Sequence, residues 1–215
     1  MPTLSPCLAA VALCACTTGS PLSQIHPQIE VHTDPDSLSL SMTTWVDLDV
    51  LHDAIAGDAI TATLDGRPLV VDANATGYVG QRDSYVAAFA LPATESAIAH
   101  PASSQLVITD GAITWSAEIA GLFANDLAEL SPSTFVWPSA ASPGPDSLID
   151  WACVAVDGQA SSCDVTISQQ FITVDLQGAP GTHVAITAER SADPPISGDG
   201  PPFFVTIDDR LDTQL

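Results

Sequence analysis

Apolar side chains recur at every second position between residues 38 and 50, and mostly polar side chains stand between them. The apolar set is Leu38, Leu40, Met42, Val46, Leu48 and Val50, and Thr44 is its one interruption. A period of two is typical of a β-strand with one face in a core and the other in water. The pattern therefore predicts one long, half-buried strand.

Three of the four Asp-Gly dipeptides in the chain, at residues 65–66, 110–111 and 157–158, lie between short apolar runs. This dipeptide favours tight turns that need positive φ, so each predicts a β-hairpin. Further strands are predicted at Tyr85 to Leu91, Leu148 to Val156, Phe171 to Leu176, Val184 to Ala188 and Phe203 to Ile207. The number of short strands with short turns predicts an all-β sandwich architecture.

The segment Phe123 to Leu130 is predicted as the one helix-like passage, because Phe123, Leu127 and Leu130 recur at helical spacings. We interpret it as a connection between two domains. About 200 residues suffice for two consecutive sandwiches of about 100 residues each. The predicted division is a β-sandwich over 30–122, a linker over 123–132 and a second β-sandwich over 133–215.

The N-terminus contains a short apolar run, Leu8 to Ala15, that ends at Cys16. Within it, Leu13-Cys14-Ala15-Cys16 resembles the processing signal of bacterial lipoproteins, with an aliphatic residue three places before the cysteine and a small residue directly before it. The resemblance implies a signal peptide over 1–15 and a lipid on Cys16 as the new N-terminus. A buried core strand is the alternative interpretation, and the run is too short for a membrane span.

Residues 16–29 are rich in Ser, Thr, Pro and Gly, a composition that predicts a flexible tether between the lipid and the body. Lipid chains would hold the protein on a membrane, not in it. Thr17 stands where an Asp would indicate retention at the inner membrane in some bacteria. We therefore expect a lipid-anchored protein of the cell envelope, at the outer membrane.

Charge excludes one class of partner. The chain has 26 acidic residues, four arginines and no lysine, for a net charge of −22. The arginines, at positions 67, 82, 190 and 210, are scattered. Nucleic acid binding needs clustered cations, so no nucleic acid partner is expected. The acidity is interpreted mainly as a soluble surface, with Ca²⁺ or cationic ligands as the alternative.

Two cysteines, Cys153 and Cys163, lie in the predicted body on either side of Asp157-Gly158. A hairpin centred near residue 158 would bring them opposite each other, so a disulfide is predicted for an exported protein. A pair of small buried thiols in a cytosolic core is the alternative.

The segment from 133 to 209 shows a second resemblance. A strand ending in Trp137-Pro138, a Pro/Gly loop and a strand opening from Leu148 to Trp151 are similar to the first two strands of an immunoglobulin-like or fibronectin type III-like module. The resemblance implies an extracytoplasmic sandwich that serves as a spacer, adhesion surface or assembly part. It implies no catalytic residue.

Short hydrolase, zinc-protease and nucleotide-binding signatures are absent from the sequence. His52-Asp53 beside Asp47 and Asp49 is the closest approach to a polar cluster, and we interpret it as a solvated strand end. We therefore predict no catalytic residues, no resident metal, no cofactor and no enzymatic activity.

The predicted function is that of a lipid-anchored interaction or structural module that binds an envelope protein or a polysaccharide. The alternative is a calcium- or carbohydrate-binding accessory lipoprotein. Trp45 lies on the wet face of its predicted strand, where a sugar platform would lie, although core packing is the commoner role of a Trp. The carboxylates considered for calcium are Asp34 with Asp36, Asp47 with Asp49, and Asp208 and Asp209 with Asp212.

Overall fold

A computed structural model describes residues 19–34, 37–92, 103–123, 126–138, 148–175, 181–192, 194, 196–197 and 200–214. The predicted signal peptide and Cys16 lie outside these residues. Within them the chain forms three β-sheets, one α-helix and one short 3-10 helix. The prediction of an all-β sandwich is confirmed.

The largest sheet, here the first sheet, has eight strands, and all neighbouring pairs but one are antiparallel. Across the sheet they are β12 (Trp151–Val156), β15 (His183–Ala192), β17 (Phe203–Gln214), β1 (Gln28–Asp34), β2 (Ser37–Thr44), β7 (Ser84–Ala90) and β5 (Val70–Val71). The eighth strand, β6 (Gly77–Val79), also pairs with β7. The exception is β1, which runs parallel to β17.

Two smaller sheets complete the fold. The second sheet contains, in order, β16 (Ile196–Ser197), β9 (Thr114–Ala120), β8 (Ser103–Thr109), β3 (Thr61–Leu64) and β4 (Arg67–Pro68). The third contains β10 (Ala128–Ser131), β11 (Thr134–Val136), β14 (Phe171–Thr173) and β13 (Thr166–Ser168). The hairpin predicted at Asp65-Gly66 is confirmed, with φ of 50° and 77° at the two turn residues.

One hydrophobic cluster joins all three sheets, because alternate residues of the longer strands point inward. Its largest fully buried members include Phe89 and Phe203 of the first sheet, Leu106 of the second and Phe135 of the third. A continuous core of this kind positions the surface loops rigidly relative to one another.

The predicted strand over residues 38–50 is wrong in its second half. Strand β2 ends at Thr44, and helix α1 (Leu48–Ala56) follows. Between them Asp47 adopts a left-handed conformation with φ of 52°, and the Thr44 hydroxyl donates a hydrogen bond to the Val46 carbonyl at 2.6 Å. These local features turn the chain out of the sheet, and the helix then buries Leu51, Ala54 and Ile55.

The predicted helix over 123–130 is also wrong, because strand β10 begins at Ala128. The buried Asp209 carboxylate accepts hydrogen bonds from the backbone N–H groups of Asp126 and Leu127, at 3.0 and 2.9 Å. A buried carboxyl acceptor therefore ties the segment to β17, and this tertiary contact decides against the local helical spacing.

The predicted linker over 123–132 does not coincide with a boundary between sheets. Strand β17, from the segment 133–215, pairs with β1, from the segment 30–122, through five consecutive residues. Strand β16 likewise pairs with β9. Strands from both predicted sandwiches therefore share two of the three sheets.

The predicted flexible tether ends earlier than residue 29. A 3-10 helix, η1 (Pro21–Ser23), follows Ser20, and the side chains of Leu22 and Ile25 are buried in the core. Asp110 accepts a hydrogen bond from the Ser20 hydroxyl and another from the Leu22 backbone N–H. The chain is therefore fixed to the body from about Ser20 onward.

Candidate functional site

The edge of the first sheet at β6 and the adjoining start of α1 carry a group of aromatic and exposed apolar side chains that we call the aromatic end. Its members are Trp45, Val46, His52, Tyr78, Val79, Arg82 and Tyr85. The sheet register assembles it, because Tyr78 of β6 lies opposite Tyr85 of β7, and Tyr85 lies opposite Thr44 at the end of β2.

Three rings pack together at the centre of the aromatic end. The ring centroids of Tyr78 and Tyr85 lie 5.0 Å apart in an edge-to-face arrangement. His52, on α1, stacks with Tyr78 at 5.6 Å and meets Tyr85 edge-on at 5.5 Å. These are favourable geometries for aromatic pairs, so the rings hold one another in place.

Charged groups surround the rings. The Tyr78 hydroxyl donates a hydrogen bond to a carboxylate oxygen of Asp49 at 2.7 Å, which raises the pKa of Tyr78. Burial raises the pKa of Tyr85. The guanidinium carbon of Arg82 lies 4.8 Å from the centre of the Tyr78 ring, within the range of a cation–π interaction. Both phenols therefore stay neutral near pH 7, and the Tyr78 ring holds a cation.

The apolar members beside this cluster are exposed to water. Trp45 is 55% exposed, Val46 54% and Val79 52%. Trp45 is therefore exposed, as the sequence predicted. It lies in the segment between β2 and α1, however, and not on the face of a strand. Single exposed apolar residues are common, but a group of them marks a surface that another molecule can cover.

The cysteines predicted to pair are joined as a disulfide across the hairpin at residue 158. Asp157 and Gly158 both have positive φ, 49° and 72°, as the turn dipeptide predicts. Val154 and Ser162 exchange two backbone hydrogen bonds, of 2.8 and 2.7 Å, which align the two arms. The link lies at the opposite edge of the first sheet from the aromatic end, beside β12.

Among the residues that the structure describes, most of the carboxylates considered for calcium bond to other protein groups. Asp208 is paired with His32 at 3.0 Å, Asp212 with Arg210 at 3.3 Å, and Asp209 is buried against backbone N–H groups. Asp49 is bonded to Tyr78, and Asp36 lies outside the described residues. In the described part of the chain, no group of three or more His, Cys, Asp or Glu side chains could hold a metal ion.

A second polar surface lies on the outer face of the first sheet. Glu189 of β15 is directly opposite Trp151 on one side and Asp208 on the other. Partial burial, followed by the nearby carboxylates of Asp208 and Asp150, raises the pKa of Glu189. Trp151 is also exposed, so this row is an acidic surface with one aromatic side chain.

An open cleft of about 460 Å³ adjoins η1. Its walls are largely apolar and include Leu22, Ile25, Ile113, Trp115 and Pro201, with His26 as the titratable member. It lies next to the point where residues 19 and 20 join the body.

Sequence reasoning missed Tyr78, Arg82 and Tyr85 as site residues and placed His52 at a solvated strand end. The rings come from α1, β6 and β7, and no spacing along the chain relates them. The one local signal is the pair of tyrosines that flanks a short turn containing Arg82.

Comparison with known proteins adds no relative: no protein-family model and no curated protein sequence matches this chain. Among the described residues, no helix is long and apolar enough to cross a membrane.

Proposed function

We propose that this protein is a lipid-anchored module of a bacterial cell envelope, at the outer membrane, that binds another envelope component and performs no catalysis. The observation that carries the proposal is the aromatic end, a packed cluster of rings at an edge of the first sheet with exposed apolar residues at neighbouring positions in the chain: Val79 follows Tyr78, and Trp45 and Val46 follow Thr44. Aromatic side chains that are held rigidly are efficient binding anchors, because they lose little conformational freedom on contact.

The fixed N-terminal segment supports a binding role close to a membrane. Three residues separate Cys16 from Ser20, which Asp110 holds on the body. The four residue-to-residue steps from Cys16 to Ser20 span at most about 14 Å at full extension. A body on so short a lipid tether would meet partners in or on the same membrane, either an envelope protein or a polysaccharide.

A carbohydrate-binding accessory is the second candidate, and the exposed Trp45 favours it. Sugars stack on exposed aromatic faces, and Trp45 is more than half exposed and directly follows Thr44, which pairs with Tyr85 of the ring cluster. Titration with cell-envelope polysaccharides should then quench tryptophan fluorescence in the wild type and leave a Trp45→Ser variant unchanged.

The lipid anchor is tested by the intact mass of the protein extracted from its native membrane. The expected mass corresponds to a chain that begins at Cys16 and carries lipid, and it increases by two hydrogen atoms when the disulfide is reduced to two thiols. A Cys16→Ser variant should lack the lipid and leave the membrane fraction. An unprocessed wild-type chain without lipid would contradict the envelope assignment.

The binding surface is tested by photocrosslinking in intact cells. A photoreactive phenylalanine analogue at Val79 should crosslink to a discrete partner, and the same analogue at the exposed Gln105 of β8 is the matched control. We expect the Val79 product to disappear when Cys16→Ser is added. Equal products from both positions would show random collision and overturn the assignment of the aromatic end.

A further inference from the structure

Arg82 has an unusual position for a chain so poor in cations. The protein has four arginines and no lysine against 26 acidic residues, and one of the four lies over the Tyr78 ring. Its backbone is left-handed, with φ of 68°, a conformation that residues with a side chain rarely adopt. The turn between β6 and β7 therefore holds a strained arginine against an aromatic face.

The surroundings of Tyr78 favour a positive charge. An aromatic face attracts cations through its quadrupole, and the hydroxyl of Tyr78 donates a hydrogen bond to the Asp49 carboxylate. Asp53 on α1 and Asp83 in the turn are exposed carboxylates of the same region. The ring and the carboxylates together attract an ammonium or guanidinium group.

The contact made by Arg82 is one that another cation can replace. Arg82 is exposed, and cation–π interactions at exposed sites are weak because water solvates the charge. A partner that also covers the apolar side chains would exclude this water and strengthen the same interaction.

We propose that Tyr78 and the adjoining carboxylates form a receptor for an arginine or lysine side chain of a basic partner protein, and that Arg82 fills this receptor in the unbound protein. Trp45 and Val46, the exposed apolar residues just before the helix that carries Asp49, contact apolar residues of the same partner segment. The inference rests on the proposed function and names its partner class. The net charge of −22 supports a basic partner, because opposite charge steers association and disfavours acidic competitors.

The test uses the full chain and a fluorescein-labelled peptide, Leu-Arg-Leu-Arg-Leu, with a second peptide in which citrulline replaces both arginines. Citrulline keeps the shape of the side chain and removes its charge. Fluorescence anisotropy should show binding of the arginine peptide and at least about tenfold weaker binding of the citrulline peptide. Equal binding of the two peptides would overturn the inference.

Variants locate the binding site. Tyr78→Leu should weaken binding of the arginine peptide about fivefold, whereas Tyr78→Phe keeps the ring and should retain most of the affinity. Arg82→Ala should strengthen binding by about threefold, because it removes the resident cation. Arg210→Ala is the charge-matched control, since it removes one exposed arginine that pairs with Asp212 on β17.

The comparison between Arg82→Ala and Arg210→Ala decides the question even if a Tyr78 variant unfolds. An equal gain in both would show a general charge effect and overturn the role of Arg82. A neutral polysaccharide that binds through Trp45, with no binding of the arginine peptide, would overturn this inference and leave the proposed function intact. If arginine binding follows the expected variants but Val79 captures no partner in cells, the receptor stands and the proposed function fails.

Discussion

The two edges of the first sheet differ in whether other parts of the chain cover them. At the β12 edge, the chain turns back through Asp157-Gly158, Ser162 bonds to Val154, and a disulfide joins the two arms. At the other edge, β5 and β6 expose Val70, Val71 and Val79, and the aromatic end adjoins them. We call the β12 edge the sealed edge and the edge at β5 and β6 the open edge. An uncovered sheet edge with apolar side chains favours association, so the sealed edge contributes to stability and the open edge is available for binding.

The largest expected effect comes from opening the sealed edge. Replacing both Cys153 and Cys163 with Ala removes a link that spans ten residues and should lower the free energy of unfolding by about 3 kcal/mol. Urea denaturation measures the change. Reductant should destabilise the wild type and leave the double variant unaffected; a loss below about 0.5 kcal/mol would show that the backbone hairpin alone seals the edge.

A backbone change in the same hairpin should cost less. Gly158 has φ of 72° and open space where a Cβ would stand, so Gly158→Ala tests conformation without a steric clash. We expect a loss of about 1 kcal/mol in the free energy of unfolding. The control is Gly19→Ala, near the N-terminus and without positive φ, which should be close to neutral. Equal effects would contradict the role of the turn.

Glu189, one strand inward from the sealed edge, gives a pH-dependent prediction. The pKa of Glu189 is raised in the folded protein, so folding favours the protonated carboxyl group. The folded state therefore loses stability as the pH rises through this pKa, because the carboxyl group must then ionise in a partly buried, acidic site. Glu189→Gln should therefore raise the free energy of unfolding at pH 7, by under about 0.5 kcal/mol after screening by solvent. The advantage should vanish below the unfolded pKa of about 4.3. A variant less stable than wild type at pH 7 would contradict this.

The smallest effect on stability is expected at the open edge. Trp45→Ser and Val79→Ser should each change the free energy of unfolding by less than about 0.5 kcal/mol, because both side chains are more than half exposed. Both should nevertheless reduce capture of the partner in cells. A stability loss as large as that of the disulfide variant would show that these side chains support the fold, and the contrast between the edges would disappear.

Prediction from the sequence succeeded where the determinants are local. Asp65-Gly66 and Asp157-Gly158 form turns with positive φ at both residues, and β8 and β9 surround Asp110-Gly111 as expected. The strand predicted up to Val50 was wrong after Thr44. The apolar alternation continues in the sequence past the turn that Thr44 and Asp47 form, although the chain enters helix α1 there. Alternation over three or four residues is compatible with both a strand and one face of a helix, so a short pattern could not separate them.

The sequence alone determined the class of the fold and the hairpin that brings Cys153 opposite Cys163, because turn dipeptides and the period of two act over a few residues. Only the tertiary structure decided that β17 lies parallel to β1, that Asp209 holds the segment after residue 125 on the body, and that His52, Tyr78 and Tyr85 meet. Each of these depends on contacts between distant parts of the chain. Their energies arise from burial and pairing that no local spacing records.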